Sequence, residues 1–299
     1  MELRQLKYFI GIAETGSFSE ASRRFYLSQS AISQQIKLLE EELGTLLFER
    51  TSHRVQLTES GEMLLPLARN VLQGVTTCHE RLADLKGMLC GELTMGMTYS
   101  IESLARPALT TFLKLYPKVR LNLYYKSIAE LLQMLRAGQL DMTFSVWNGD
   151  GDDQIQCEQV ASYRLSAIMR ATHPLAGKGT LSFHDMENQQ FILPEVGIRD
   201  RNAVEHYLSS DAENLSVRAI VNNPYTIMSI LSQTNYISVL AEQEVHGNPH
   251  LRAVQIKELM DPVPVFAHFM KNGYRKQSAK TFLKLLREAI EMASSLKGS

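Results

Sequence analysis

The hydrophobic pattern of this chain changes once, at about residue 91. Before that point, apolar residues recur at spacings of three and four, which is typical of amphipathic helices. After it, short alternating apolar runs are separated by helical patterns, which is typical of strands and helices in succession. The sequence therefore predicts an α/β protein with an N-terminal all-α domain, and its 299 residues suffice for roughly two domains.

The N-terminal segment predicts three short helices. The first ends at Gly16, and Ser19 is the predicted N-cap of the second. The third begins at Gln29, with Ser28 as its N-cap. The residues of the third helix predicted to face inward are Ile32, Ile36, Leu39 and Leu43. A short helix, a tight turn and a further helix in this order are typical of a helix-turn-helix.

The outward face of the third helix carries amide, hydroxyl and ammonium groups, which bind base edges and phosphates. Two short extended pieces follow, and the polar, basic tip between them predicts a wing beside a phosphate backbone or in a minor groove. The predicted contacts with double-stranded DNA are Ser28, Gln29, Ser30, Ser33, Gln34, Lys37, Arg50, His53 and Arg54. Seven basic and seven acidic residues balance in residues 1–58. Periodicity alone therefore leaves open an ordinary three-helix packing unit.

A series of residues in fixed order and spacing decides between a DNA-binding unit and an ordinary three-helix packing unit. The positions are Phe18-Ser19-x-Ala21, Ser28-Gln29-x-Ala31-Ile32-Ser33-Gln34-Gln35-Ile36, Leu39-Glu40-x-x-Leu43-Gly44, Leu47-Phe48-x-Arg50 and Leu57-Thr58-x-x-Gly61. The motif resembles the winged helix-turn-helix of LysR-type transcriptional regulators. The resemblance implies that residues 1–58 bind DNA and that the protein regulates transcription together with RNA polymerase. Departures from the family pattern at Ser22, Phe25, Ser30 and His53 concern which bases are read.

Residues 59–90 predict one long linker helix, capped by Thr58 and kinked near Pro66. Its apolar residues alternate spacings of four and three, which predicts a heptad seam that packs against a partner helix. The seam residues assigned to dimerisation are Leu64, Val71, Val75, Cys78, Leu82 and Leu85. Packing of this face on its own domain is the alternative. The family resemblance implies a homodimer or a tetramer.

Residues 91–299 predict two α/β lobes, lobe I at about 91–161 and 266–299 and lobe II at about 162–265. Strands at 93–97, 119–125 and 140–146, with helices between them, predict a parallel sheet. Further strands are predicted near 162–169, 191–193, 217–221, 236–240 and 264–270. Further helices are predicted near 198–209 and 224–233, and the last one begins near Ala279. The family resemblance extends over this half and implies an effector domain similar to periplasmic binding proteins.

Ligands of such lobes bind beyond the carboxyl ends of strands, at helix N-termini. Ser127 is a predicted N-cap whose helix dipole favours an anion, and the lone tryptophan, Trp147, is placed as a wall of the cleft. The predicted effector-binding residues are Thr98, Tyr99, Ser100, Ser127, Trp147, Arg199 and Asn222. For each of them, capping or loop packing is the alternative. The expected effector is a small anionic metabolite.

The sequence contains no catalytic constellation, phosphate-binding loop or zinc spacing, so neither an enzyme nor a cofactor or metal is expected. Cys78, Cys90 and Cys157 are odd in number and widely spaced, which predicts reduced thiols. A redox-responsive regulator that uses Cys157 or Cys90 without a ligand is the alternative function. No apolar run approaches the roughly 20 residues of a membrane span, and charges interrupt the first 20 residues, so a cytoplasmic protein is expected.

Overall fold

The computed structural model describes residues 1–50, 55–85, 89–195 and 216–295, without the side chains of residues 50, 80, 83–85 and 293–295. This part of the chain forms two compact units, one within residues 1–85 and the other made of most of residues 89–295. None of the helices in the described ranges combines the length and apolar character that crossing a membrane requires.

The first unit is helical, with a small two-stranded ribbon. Its elements are α1 (Leu3–Thr15), α2 (Phe18–Arg24), α3 (Gln29–Leu43), β1 (Phe48–Arg50), β2 (Val55–Leu57) and α4 (Glu59–Leu85). The two strands are antiparallel, and Phe48 is opposite Leu57. The core lies among α1, α2 and α3, where Phe9, Ile12 and Ile36 are fully buried. The predicted wing strands and long helix are therefore present.

Local capping explains where these helices begin. The Ser28 hydroxyl accepts a hydrogen bond from the Ala31 backbone N–H at 3.2 Å, as predicted. The predicted cap Ser19 is wrong: Ser17 has the extended backbone of an N-cap, and its Oγ accepts from the Glu20 N–H. The predicted burial of Leu43 is also wrong. This residue is 40% exposed, since Leu39 and Leu47 already fill the core where α3 ends.

The second unit alternates strands and helices along most of its length. Its first half contains β3 (Gly91–Met97), α5 (Glu102–Leu115), β4 (Val119–Tyr125), α6 (Ile128–Arg136), β5 (Met142–Ser145), β6 (Ile155–Tyr163), β7 (Leu165–Arg170) and β8 (Thr180–Leu181). Its second half contains β9 (Gln190–Pro194), β10 (Ser216–Val221), α7 (Pro224–Leu231), β11 (Ser238–Ala241), β12 (Leu251–Ile256), β13 (Val263–Met270) and α8 (Gln277–Ser295).

The strands of lobe I form one mixed sheet in the order β4-β3-β5-β13-β6. The first three are parallel, as expected from a βαβαβ series, because each crossover carries a helix. Strand β13 returns from the far end of the chain and pairs antiparallel with both β5 and β6. The parallel sheet predicted for the strands at 93–97, 119–125 and 140–146 is therefore confirmed by β3, β4 and β5.

In lobe II, β7 pairs antiparallel with β11 and β12, while β9 and β10 form a separate parallel pair. The strand predicted near 162–169 is present as β7, but it begins at Leu165, because Arg164 interrupts the extended segment between β6 and β7. Strands β6, β8 and β12 are not among the predicted strands, and the strand predicted at 236–240 begins at Ser238. The helix predicted at 198–209 lies outside the described residues.

Candidate nucleic-acid interface and ligand cleft

The N-terminal half of α3 presents a polar face to solvent. Ser28, Gln29, Ser30, Gln34 and Lys37 are all exposed, whereas Ser33 is half-buried. The apolar residues between them are turned into the core, which orients the polar ones outward. The structure therefore groups these predicted contacts on one end of one helix.

Hydrogen bonds within the first unit order this face before any partner binds. The Ser19 hydroxyl, on α2, donates to Oε1 of Gln29 at 2.9 Å and leaves the Nε2 group of that amide as a donor toward solvent. The hydroxyls of Ser28 and Ser30 lie 3.0 Å apart. Lys37 keeps an exposed ammonium group 3.7 Å from Glu41, a weak pair that leaves the charge available to a phosphate.

A buried carboxylate ties α3 to the wing. Oε1 of Glu40 accepts hydrogen bonds from the backbone N–H groups of Leu47 at 2.8 Å and Phe48 at 3.3 Å. Glu40 is not among the predicted site residues, although a glutamate among inward-facing positions is a signal of a buried hydrogen-bond partner. The predicted wing contacts His53, Arg54 and the Arg50 side chain lie outside the described residues.

The linker helix α4 has apolar residues on two neighbouring faces, one packed on the first unit and one exposed to solvent. Leu64 packs against the core of the first unit, so this predicted seam residue faces its own domain. Val71, Cys78 and Leu82 are exposed, and Val75 is partly so. The side chain of Leu85 lies outside the described residues. The exposed face also includes Met63, 68% exposed, and Leu67, 55% exposed, which are not among the predicted seam residues.

A pocket lies between the two lobes of the second unit. Its lining residues are Tyr99, Ser100, Pro194, Val221, Asn222, Pro224, Ile227, Leu240 and Glu244. Its cavity volume is about 20 Å³, which admits about one water molecule. Three predicted effector-binding residues, Tyr99, Ser100 and Asn222, thus line one cavity. Thr98 directly precedes Tyr99 in the chain but does not line the cavity. Arg199 lies outside the described residues.

Ser127 and Trp147 do not line this pocket. The N–H and hydroxyl of Ser127 both donate to Glu130 Oε2, at 3.1 and 2.7 Å, so the protein's own carboxylate fills this helix N-terminus. Hydrogen bonds from Lys126 and Ser127 lower the pKa of Glu130 to about 2. Trp147 packs in a small cluster with Leu131 and Ile155 and against the His268 ring.

A polar clasp joins the lobes at the rim of the pocket. Arg106 donates to both carboxylate oxygens of Glu102 on α5, at 3.0 and 2.6 Å, and to the hydroxyl of Tyr225 on α7 at 3.1 Å. The Tyr225 hydroxyl donates to Glu102 in turn. Burial and the Glu102 carboxylate raise the pKa of Tyr225 to about 12, so this phenol stays protonated as a donor. We call these three residues the clasp.

The three cysteines are free thiols. Burial, together with Asp152 and Asp150, raises the pKa of the Cys157 thiol. Cys90 precedes β3, and two strands separate β3 from the β6 strand that carries Cys157. At about 4.8 Å per strand spacing these residues are about 14 Å apart, beyond the roughly 7 Å limit for a disulfide. The geometry therefore disfavours the redox alternative for this pair.

Comparisons with known proteins agree with this arrangement. Residues 3–62 match the family model described as bacterial regulatory helix-turn-helix protein, lysR family, and residues 86–291 match the LysR substrate binding domain. The RuBisCO operon transcriptional regulator of Allochromatium vinosum is 28% identical over 215 residues, which cover 72% of this chain and 71% of that protein.

Solved structures show the same fold. A full-length OxyR variant from Pseudomonas aeruginosa superposes with a TM-score of 0.72 at 22% identity and covers 96% of this chain and 98% of its own. Full-length CbnR complexed with its target DNA superposes with a TM-score of 0.70 at 24% identity and covers 97% and 100%. The two family models together span most of the sequence, and the chain belongs to the LysR family of DNA-binding transcriptional regulators, which are not enzymes.

Proposed function

We propose that this protein is a ligand-responsive regulator whose dimer, alone or paired into a tetramer, binds an inverted-repeat operator and acts on RNA polymerase in the cytoplasm. The exposed polar face at the start of α3 carries this proposal, because its amide and hydroxyl groups match base edges in a major groove. CbnR, with the same fold, was solved with its target DNA. A twofold dimer places two such helices on half-sites a whole number of helical turns apart.

The pocket supports a small-molecule effector. Helices α5 and α7 begin beside it, and the dipole of a helix N-terminus favours an anion. Glu102 is the first residue of α5, the Asn223 side chain caps α7, and the carboxylate of Glu244 also lines the cavity. The protein groups that would bind an anion here are the neutral hydrogen-bond donors of Tyr99, Ser100 and Asn222. Because the cavity admits about one water molecule, the lobes open before a metabolite enters. The ligand acts through its different affinity for the two lobe arrangements.

Selection of duplexes from a random library by the purified chain tests DNA reading. Gln29→Ala and Gln34→Ala should each weaken binding to the selected duplex by about 1–3 kcal/mol per lost base contact and leave binding to a scrambled duplex nearly unchanged. Equal losses on both duplexes would contradict base reading by these residues.

Thermal unfolding of the full chain with a panel of carboxylates, phosphates and matched neutral or cationic compounds tests the effector. Stabilisation by anions alone supports the anionic class, because a ligand that binds the folded state raises the midpoint. Stabilisation by the cationic compounds alone would instead make Glu244 the counter-charge of the ligand and overturn that class.

A further inference from the structure

The turn between α2 and α3 contains an unusual backbone. Tyr26 has a φ of 55°, the one positive φ at a non-glycine residue among the described ranges. Its N–H donates to the Arg23 carbonyl at 3.2 Å, and the Leu27 N–H donates to the Ser22 carbonyl at 2.9 Å. These two bonds form a Schellman motif with Tyr26 at its left-handed position. Glycine is the usual residue there, since a Cβ atom crowds the carbonyl group.

Packing does not account for a tyrosine at this position. Its side chain is 95% exposed. Within the part of the chain that the structure describes, no group hydrogen-bonds to its hydroxyl. The preceding residue behaves in the opposite way: the Phe25 ring packs edge-on against Tyr8, with ring centroids 5.1 Å apart, and lies over Gly11. Tyr26, which has the strained backbone, thus exposes almost its whole side chain to solvent, whereas Phe25 is packed.

The position of Tyr26 relates it to the DNA-reading face. It lies two residues before the cap Ser28 and three before Gln29, and three residues span at most about 11 Å. Arg23, also exposed, precedes it by three residues. The phenol therefore stands beside the end of α3 that enters the groove, where the phosphates on the groove edge are the nearest DNA groups.

We propose that Tyr26 is a DNA-positioning residue whose hydroxyl donates a hydrogen bond to a backbone phosphate at the edge of the groove occupied by α3. Tyrosine hydroxyls are among the groups that contact phosphates, and such contacts set the register of a protein on the duplex without reading its sequence. The backbone strain is retained because it holds the phenol outward. This inference rests on the proposed function, since it requires α3 to dock on DNA.

The experiment compares Y26F and Y26G with the wild-type full chain on two duplexes, one selected by the wild type and one scrambled. Y124F alters a half-exposed tyrosine of the other unit and is the matched control. Fluorescence anisotropy at several KCl concentrations measures affinity and its salt slope, and urea unfolding measures stability. Y26F should weaken binding to both duplexes about fivefold. Its salt slope should not change, because a neutral hydroxyl releases no counterion.

Y26G should weaken binding at least as much as Y26F and raise the urea midpoint, because glycine relieves the left-handed strain. Wild-type affinity of Y26F on both duplexes, or a loss confined to the selected one, would overturn the phosphate contact. A lower urea midpoint for Y26G would overturn the strain argument. Failure of the proposed function looks different, since the wild type itself would then select no duplex.

Discussion

The Sγ atom of Cys157 lies 3.1 Å from Nδ1 of His268, and Nε2 of the same ring lies 2.8 Å from the Ser145 hydroxyl. The imidazole is fully buried on β13, which lies between β5 and the edge strand β6 of the lobe I sheet. Burial lowers the pKa of His268 to about 4 and raises the pKa of Cys157. Near neutral pH the pair is therefore a neutral imidazole and a protonated thiol.

The free energy of unfolding should decrease as the pH is lowered, because His268 is buried in its neutral form. The unfolded histidine takes up a proton near its usual pKa of 6.5, while the folded one does so only at about 4. The stabilisation is therefore complete above pH 6.5 and is lost as the pH falls to 4, and it amounts to roughly 3 kcal/mol. Urea unfolding across this range should show a smaller decline in His268→Gln. The exposed His250→Gln is the control and should keep the wild-type decline.

Cys157 should react slowly with oxidants. A thiolate is the reactive species, and the raised pKa of this thiol reduces the thiolate fraction at neutral pH. Mass spectrometry after peroxide treatment should find Cys157 unmodified under conditions that oxidise an unfolded control. After peroxide treatment, Cys157→Ser should bind DNA with the same affinity as the treated wild type. If peroxide changed the DNA affinity of the wild type but not that of Cys157→Ser, the redox alternative would be supported.

The ends of α3 were predictable because they depend on neighbours in sequence. Ser28 caps its start and Gly44, with a φ of 67°, ends it. The cap of α2 was misplaced because two serines, Ser17 and Ser19, satisfy the same pattern, and only the backbone conformation decides between them. The Ser-x-x-Glu pattern of a capping box at Ser127 is a local signal that Glu130 occupies this helix N-terminus.

The parts that could not be predicted depend on contacts between distant segments. Helix α4 has apolar residues on two adjacent faces, and the sequence does not show which face its own domain covers. Strand β6 carries polar residues along an exposed sheet edge, which hides its alternation. The clasp joins residues more than 100 positions apart, so no local pattern indicates it.

Glu40 should couple the stability of the first unit to DNA binding. Glu40→Ala leaves the buried N–H groups of Leu47 and Phe48 without their acceptor, which should lower the free energy of unfolding by about 2 kcal/mol or more. Glu40→Gln retains an acceptor oxygen and should lose less. Loss of the wing position should also weaken binding to the selected duplex in the alanine variant. Unchanged stability of Glu40→Ala would contradict this role.

The clasp should hold the two lobes closed over the pocket. Tyr225→Phe removes the hydroxyl that Arg106 and Glu102 share across the lobes, while the Arg106–Glu102 pair within α5 remains. We expect a stability loss of about 0.5–1 kcal/mol, because the site is partly exposed. Amide hydrogen exchange should become faster in residues 99–106 and 222–231. Tyr26→Phe, on an exposed tyrosine of the first unit, is the control and should leave that exchange unchanged.

The exposed face of α4 should form the dimer. Met63, Leu67 and Val71 lie four residues apart on this face, and Leu82 continues it toward the C-terminal end of the helix. Leu67→Gln places an amide in the middle of that seam and should shift sedimentation equilibrium toward the monomer. Met292→Gln, on the equally exposed apolar residue of α8, should leave the association constant unchanged. Because exposed Cys78 lies on the same helix, its labelling by a thiol reagent should be slower in the dimer and faster in Leu67→Gln. A dimer of unchanged strength in Leu67→Gln, together with unchanged Cys78 labelling, would place the interface on another face.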